Sequence, residues 1–251
     1  MSGSMLAVLL NPERPSDCQF LAEQLALPLL QPEQAIADSG FEFFMCYRGS
    51  ALKLLDRQSL KKGGLQVEIE PRPGEQHSWP APRKNVLAQA IGKKTRTVTD
   101  ATTGWAQDSL ALFRMGYQLR CIERSPILHA LITDGFKRLS AKDWVQRRAL
   151  AMPELIYGDA ITLLGDLPQV DCIYLDPMFP PKRKKSALTK KSMAVLRPIL
   201  GDDLDRMQLF EVAMSAAGKR VVIKSPDYAE PLAKPDQSFH SKLLRYDVFL
   251  R

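Results

Sequence analysis

The sequence is poor in the residues that build metal sites and disulfide frameworks. It has three histidines and four cysteines among 251 residues, and none of Cys18, Cys46, Cys121 and Cys172 stands in a C-x-x-C pair. Cys121 and Cys172 fall inside apolar runs that read as strands, so the thiols are expected to be buried and reduced, with no metal bound. That usage suits a cytoplasmic protein. Long apolar runs are also missing. Met5–Leu10 is the longest clean one, far short of the roughly 20 residues that cross a bilayer. No basic-then-apolar leader with a cleavage site is seen, so neither membrane insertion nor secretion is expected. Two phosphate-binding signatures are absent as well. Without G-x-G-x-x-G a dinucleotide enzyme is disfavoured, and without G-K-[ST] so is an ATPase. No internal repeat or low-complexity tract stands out.

What is present is an ordinary globular composition, 45% apolar and 25% charged, with a formal charge of +7. A positive balance favours a polyanionic partner only weakly, but its distribution adds to it. Lys182, Arg183, Lys184, Lys185, Lys190 and Lys191 crowd one short stretch, a candidate contact for RNA phosphates.

The chain changes character along its length. In the first part, Met5–Leu10, Phe41–Tyr47 and Gln66–Glu70 read as strands, and Asp17–Leu27 as a helix with Asp17 as its cap and Pro28 as its stop. Gly63-Gly64 marks a turn, and Gln76–Lys84 reads as a linker. Residues 1–84 are therefore expected to form a small α+β lobe, a candidate for substrate recognition. From Thr95 strands alternate with helices. The strands are Arg96–Thr99, Gln118–Ile122, Glu154–Tyr157, Val170–Leu175 and Arg220–Lys224, and Leu243–Leu250 can add one or two more. The helices are Gln107–Met115, Pro126–Ser140 with Ser125 at its cap, and Leu204–Ala217. Alternation of this kind predicts a mostly parallel α/β sheet over residues 85–251, with its ligand beyond the carboxyl ends of the strands.

Four successive strands end in acids: Asp100, Glu123, Asp159 and Asp176. One such acid is commonly a helix cap. Four on one sheet edge repel each other unless a ligand uses them. Gly104 lets backbone approach a ligand, and Glu123 follows it by 19 residues, close to the spacing of an acid that binds ribose hydroxyls. Tyr174-Leu175-Asp176-Pro177-Met178-Phe179-Pro180-Pro181 is the most informative stretch. The exocyclic amine of a base is a poor nucleophile because its lone pair is delocalised into the ring. A carboxylate (Asp176) and a carbonyl (Pro177) can accept its two N–H bonds, and an aromatic face (Phe179) can stack on the extruded base.

Asp176-Pro177-Met178-Phe179 resembles the [D/N]-P-P-[F/Y] motif of amino-group methyltransferases. From Val98 to Tyr228 the chain resembles the ribosomal RNA small subunit methyltransferase J family, through Asp100-Ala101-Thr102, Gly104, Asp108, Glu123-Arg124, Tyr174 to Pro180, Lys184 to Leu188, Arg220-Val221-Val222 and Lys224 to Tyr228. The resemblance implies a Rossmann-like class I S-adenosylmethionine methyltransferase sheet. It also implies methyl transfer to the N2 amine of a guanosine near the 3′ end of 16S rRNA, naked or in the small ribosomal subunit. It places cofactor contacts on Gln107-Asp108, Glu123-Arg124, Asp159-Ala160 and Asp176, beside Asp100 and Gly104. The family's usual turn D-A-T-A-G-L-G-R-D is altered here by Thr103, Trp105, Ala106 and Gln107. Other readings keep the cofactor but change the acceptor to a DNA base or a protein glutamine, or keep only RNA binding on a degenerate methyltransferase fold.

Overall fold

The computed structural model describes residues 6–37, 40–60, 63–71, 79–179 and 205–251. The basic run Lys182–Lys191 lies outside the described residues. The chain forms two compact units, Met1–Ile69 with Ala130–Ala149, and Glu70–His129 with Leu150–Arg251.

The first unit carries a four-stranded sheet in the order β2-β1-β3-β4, built from β1 (Leu6–Leu9), β2 (Leu29–Leu30), β3 (Phe43–Arg48) and β4 (Ala51–Asp56). β3 and β4 form a hairpin in which Arg48 pairs with Ala51, so Gly49-Ser50 is its two-residue loop, with Gly49 at φ 59°. Two sequence expectations fail here. Helix α1 (Pro15–Leu25) starts earlier than expected: Pro15 supplies the first helical φ, and Asp17 lies inside the first turn, paired with Arg14 Nε at 2.7 Å, instead of capping. Gln66–Glu70 is not a strand. Leu65 makes a single bridge to Leu54, and the Val67 carbonyl then accepts a 2.8 Å bond from Arg138 Nη2, which spends it outside any ladder.

The second unit carries a seven-stranded sheet in the order β10-β11-β9-β8-β5-β6-β7. Its parallel strands are β5 (Thr97–Asp100), β6 (Gln118–Glu123), β7 (Glu154–Tyr157), β8 (Cys172–Leu175) and β9 (Arg220–Pro226). β11 (Leu244–Leu250) inserts antiparallel between β9 and β10 (Gln237–His240). β8 is wholly buried and apolar, as a central parallel strand covered on both faces must be. One face packs Ile173, Leu175, Val221 and Ile223 against Leu209, Phe210 and Ala213 of the helix Arg206–Ala216. Trp79 is also a packing residue, its ring 4.9 Å from that of Phe113.

Chain order runs outward from β5 to β6 and β7 on one side, and from β8 to β9 on the other. The switch point between β5 and β8 opens a crevice at their carboxyl ends. There the loop after β5 leads to helix α4 (Gln107–Arg114), β6 leads to α5 (Pro126–Ser140), and β7 to α7 (Ala160–Leu163). Ser125 and Asp159 cap the last two, accepting from the amides of Leu128 and Ile161 at 3.3 and 2.9 Å.

Candidate active site

A cleft of about 380 Å3 lies at that crevice. Gly104, Glu123, Arg124, Asp159, Ala160 and Asp176 all line it, together with Thr102, Met178, Asp205 and the apolar Ile127, Ile161 and Leu209. Among its charged lining residues four are acids and one, Arg124, is a base. Arg124 is held by Asp205 at 2.7 Å and lies 3.9 Å from Asp159. An acidic cleft in a chain of charge +7 suits a cationic group.

Glu123 shapes the floor. Its two oxygens accept from the Gly104 amide at 2.8 Å and the Ser125 amide at 2.7 Å, tying the turn after β5 to the end of β6. A carboxylate has about four acceptor positions, more than these two amides fill. In the same turn Gly104 has φ 56°, and an added Cβ there would meet only the Thr102 carbonyl, at 3.8 Å. Ala106 also adopts a left-handed conformation, φ 56° and ψ 19°, immediately before α4. A Cβ at that conformation costs about 1–2 kcal/mol, so the family's glycine has a backbone reason that this chain overrides.

Three of the anticipated cofactor residues stand outside the lining. Gln107 is exposed at the start of α4. Asp100 is buried, accepting from the Thr102 amide at 3.1 Å and from the Ser109 hydroxyl. Burial pushes its carboxyl up to about 7, against those two donors, which favour the ionised form, and with the help of the neighbouring Asp108 and Asp176 charges. A carboxyl raised in the folded state holds its proton there while the unfolded chain has released it, so stability falls as pH rises between about 4 and 7. The Asp100→Asn variant should lack roughly 2–3 kcal/mol of that fall between pH 5 and pH 7.5, about two pKa units at ~1.4 kcal/mol each, read by urea unfolding at the two pH values. Parallel pH profiles for the two proteins would refute it.

Asp108 belongs to a network that the sequence reading did not assemble. Lys224 Nζ lies 2.7 Å from Asp108 Oδ2 and 2.7 Å from Asp176 Oδ2, and the buried Tyr174 hydroxyl donates to Asp108 at 2.7 Å. The Asp176 amide donates to Thr102 Oγ1 at 2.6 Å. Burial pulls the Lys224 ammonium down, but Asp176 and Asp108 outweigh it and carry it above the usual lysine range. Asp176 is thus fixed at both its backbone and its carboxylate. Pro177 behind it is buried, and Phe179 is half-buried with the Arg206 guanidinium 5.0 Å from its ring centroid. Lys224 follows the apolar run Val221-Val222-Ile223 in β9, next to β8, and a lysine largely withdrawn from water needs partners such as Asp108 and Asp176.

The comparisons with known proteins agree with this fold. The family model of SAM-dependent methyltransferases matches residues 29–251. The chain is 36% identical over 241 residues to the ribosomal RNA small subunit methyltransferase J of Thioalkalivibrio sulfidiphilus, covering 92% of each. It is 33% identical to the protein of the same name from Coxiella burnetii, covering 100% of this chain and 98% of that one. Among solved structures, the SAM-dependent methyltransferase NGO1261 of Neisseria gonorrhoeae shares the fold at a TM-score of 0.69, with 22% identity over 97% of this chain and 96% of that one.

Proposed function

The chain belongs to the ribosomal RNA small subunit methyltransferase J family of SAM-dependent methyltransferases, and from that premise we propose that it methylates the exocyclic N2 amine of a guanosine near the 3′ end of 16S rRNA. The observation that carries the reading is Asp176, held by Lys224 and Thr102 at the carboxyl end of β8 and followed by Pro177 and Phe179.

The donor, S-adenosylmethionine, supplies an electrophilic methyl group on a sulfonium cation. The lining fits such a group: acids surround the cleft, Gly104 leaves its backbone open, and Ile127, Ile161 and Leu209 give an apolar wall for a purine. Glu123 is the receiver of ribose hydroxyls, and Asp159, at the end of β7, of the adenine amine. Asp100 and Asp108 support the turn from behind, and Gln107 and Ala160 flank it.

On the acceptor side, Asp176 and the Pro177 carbonyl take the two N–H bonds of the amine and turn its lone pair toward the methyl group. The ammonium of Lys224 favours the carboxylate form of Asp176, which keeps its oxygens as acceptors for one of these bonds. Phe179 stacks on the guanine. Rate enhancement then comes mainly from holding the reactants in a near-attack geometry. The basic run Lys182–Lys191 and the lobe of residues 1–84 supply RNA contacts, and the cytoplasm, where small subunits assemble, is the place of action.

Two measurements test this. Glu123→Ala should weaken S-adenosylmethionine binding in calorimetry by roughly 1–3 kcal/mol, the worth of a hydrogen bond to a charged group. Unchanged affinity would remove Glu123 from the donor site. For the acceptor, 16S rRNA from cells lacking the gene is incubated with the protein and labelled donor, and the modified nucleotide is mapped by mass spectrometry. Label on any position other than a guanosine N2 would overturn the assignment.

A further inference from the structure

The opposite edge of the same sheet carries the opposite charge. A concavity of about 810 Å3 at the amino ends of β5, β8 and β9 is lined by Arg83, Lys93, Lys94, Arg96 and Lys219, with Asp171 as the one acid among its lining residues. That is a net charge of +4 for the lining, against +7 for the entire chain.

The cations are presented on a firm base. Lys93 and Lys94 sit on a turn closed by the Thr95 amide, 3.2 Å from the Gly92 carbonyl, and by the Thr95 hydroxyl, 2.5 Å from the Ile91 carbonyl. Arg83 lies over the Tyr117 ring at 3.9 Å and donates from Nε to the Met115 carbonyl at 3.0 Å. Asp171 offsets Lys219 and leaves Arg83, Lys93, Lys94 and Arg96 as the excess charge. One oxygen pairs with Lys219 at 2.7 Å and the other accepts from the amides of Arg96 and Thr97. Those bonds hold its carboxyl down at about 2. The side chains of Lys93, Lys94 and Arg96 are exposed.

This charge cannot serve the methyl donor, which the acidic cleft at the other edge receives. β5 spans four residues, so the two edges are separated by about 13 Å of strand before their loops are counted. Cations carried by a hydrogen-bonded backbone on a concave surface, in an enzyme whose family acts on ribosomal RNA, match the phosphate backbone of folded RNA, recognised by shape and charge without base reading. We propose that this amino-edge surface is a second RNA anchor, engaged by folded small-subunit RNA and beyond the reach of a short acceptor strand seated in the cleft. The proposal rests on the ribosomal RNA reading above.

The test is a Lys93→Ser, Lys94→Ser, Arg96→Ser variant, compared with the parent on two probes: small-subunit particles, and a short single-stranded oligonucleotide containing the acceptor. On particles the slope of log affinity against log salt should become shallower by about 2–3, from three lost phosphate contacts. On the oligonucleotide, and for S-adenosylmethionine, affinity should be unchanged. An unchanged slope on particles overturns the anchor. Equal losses on both probes overturn it too, because the cations would then act as a general field. A parent that binds neither RNA would instead sink the ribosomal RNA reading.

Discussion

Asp176→Ala should lower single-turnover methyl transfer by about 10²–10³, the scale on which loss of a preorganised hydrogen-bonding group acts. The side chain lies at the cleft, and its position is fixed independently of substrate by the Lys224 ammonium and the Thr102 hydroxyl. Removal deletes an acceptor for the amine without emptying the core, since this carboxylate is 37% exposed. Donor affinity is measured alongside, so that a loss of binding is not read as a loss of rate. Asp176→Asn keeps an acceptor oxygen but loses the charge, and it should fall between Ala and the parent. A folded Asp176→Ala protein that binds donor and RNA and still transfers methyl at a near-normal rate would reduce the Asp-Pro-Met-Phe segment to a turn.

Lys224→Met is expected to have the second largest effect, and it should reach both rate and stability. Without the ammonium, Asp108 and Asp176 lose their common partner, and two partly buried carboxylates face one another. Breaking a buried pair costs about 3–5 kcal/mol; with side chains here 18–37% exposed, solvent screening reduces this to roughly 2–3 kcal/mol. The paired acids should then hold a proton to higher pH than before, so methyl transfer falls and its pH profile moves to higher pH. Lys224→Arg keeps the charge and should restore stability more fully than rate, because a planar guanidinium does not reproduce a point charge between two oxygens. Stability is read by urea unfolding and rate by single-turnover assay. A Met variant with parental stability and an unmoved profile would leave the network without a role.

Much of the second unit was legible because its signals are local. Each strand of the parallel sheet is a short apolar run ending in an acid or a turn, and Ser125-Pro126 announces its helix by capping chemistry alone. The four strand-end acids do mark the switch-point edge, although Asp100 is turned into the protein. Lys224, Thr102 and Asp205 escaped because their roles depend on which strands become neighbours. The order β9-β8-β5 sets Lys224 beside Asp176, and nothing in the sequence says so across a separation of 48 positions. β4 escaped for a simpler reason. Gly49-Ser50 is a two-residue hairpin signal between two apolar runs, and only the first run was read as a strand. Gln66–Glu70 misled because alternating burial, seen at Val67 and Ile69, does not require a ladder.

The composition of the first unit has a consequence for synthesis on the ribosome. Its sheet strands are all translated by Asp56, yet the unit also needs Ala130–Ala149, whose Gly135 lies where an added Cβ would come within 2.6 Å of Val67. From Ile69 to Ala149 is about 80 residues, which at roughly 5–20 residues per second is on the order of 4–16 s. For that interval the first unit lacks the segment that packs against Val67, while the strands of the second unit are being translated. The first unit is therefore completed only after about 80 residues that belong largely to the second have been made, so the two units are completed in overlap and not one after the other.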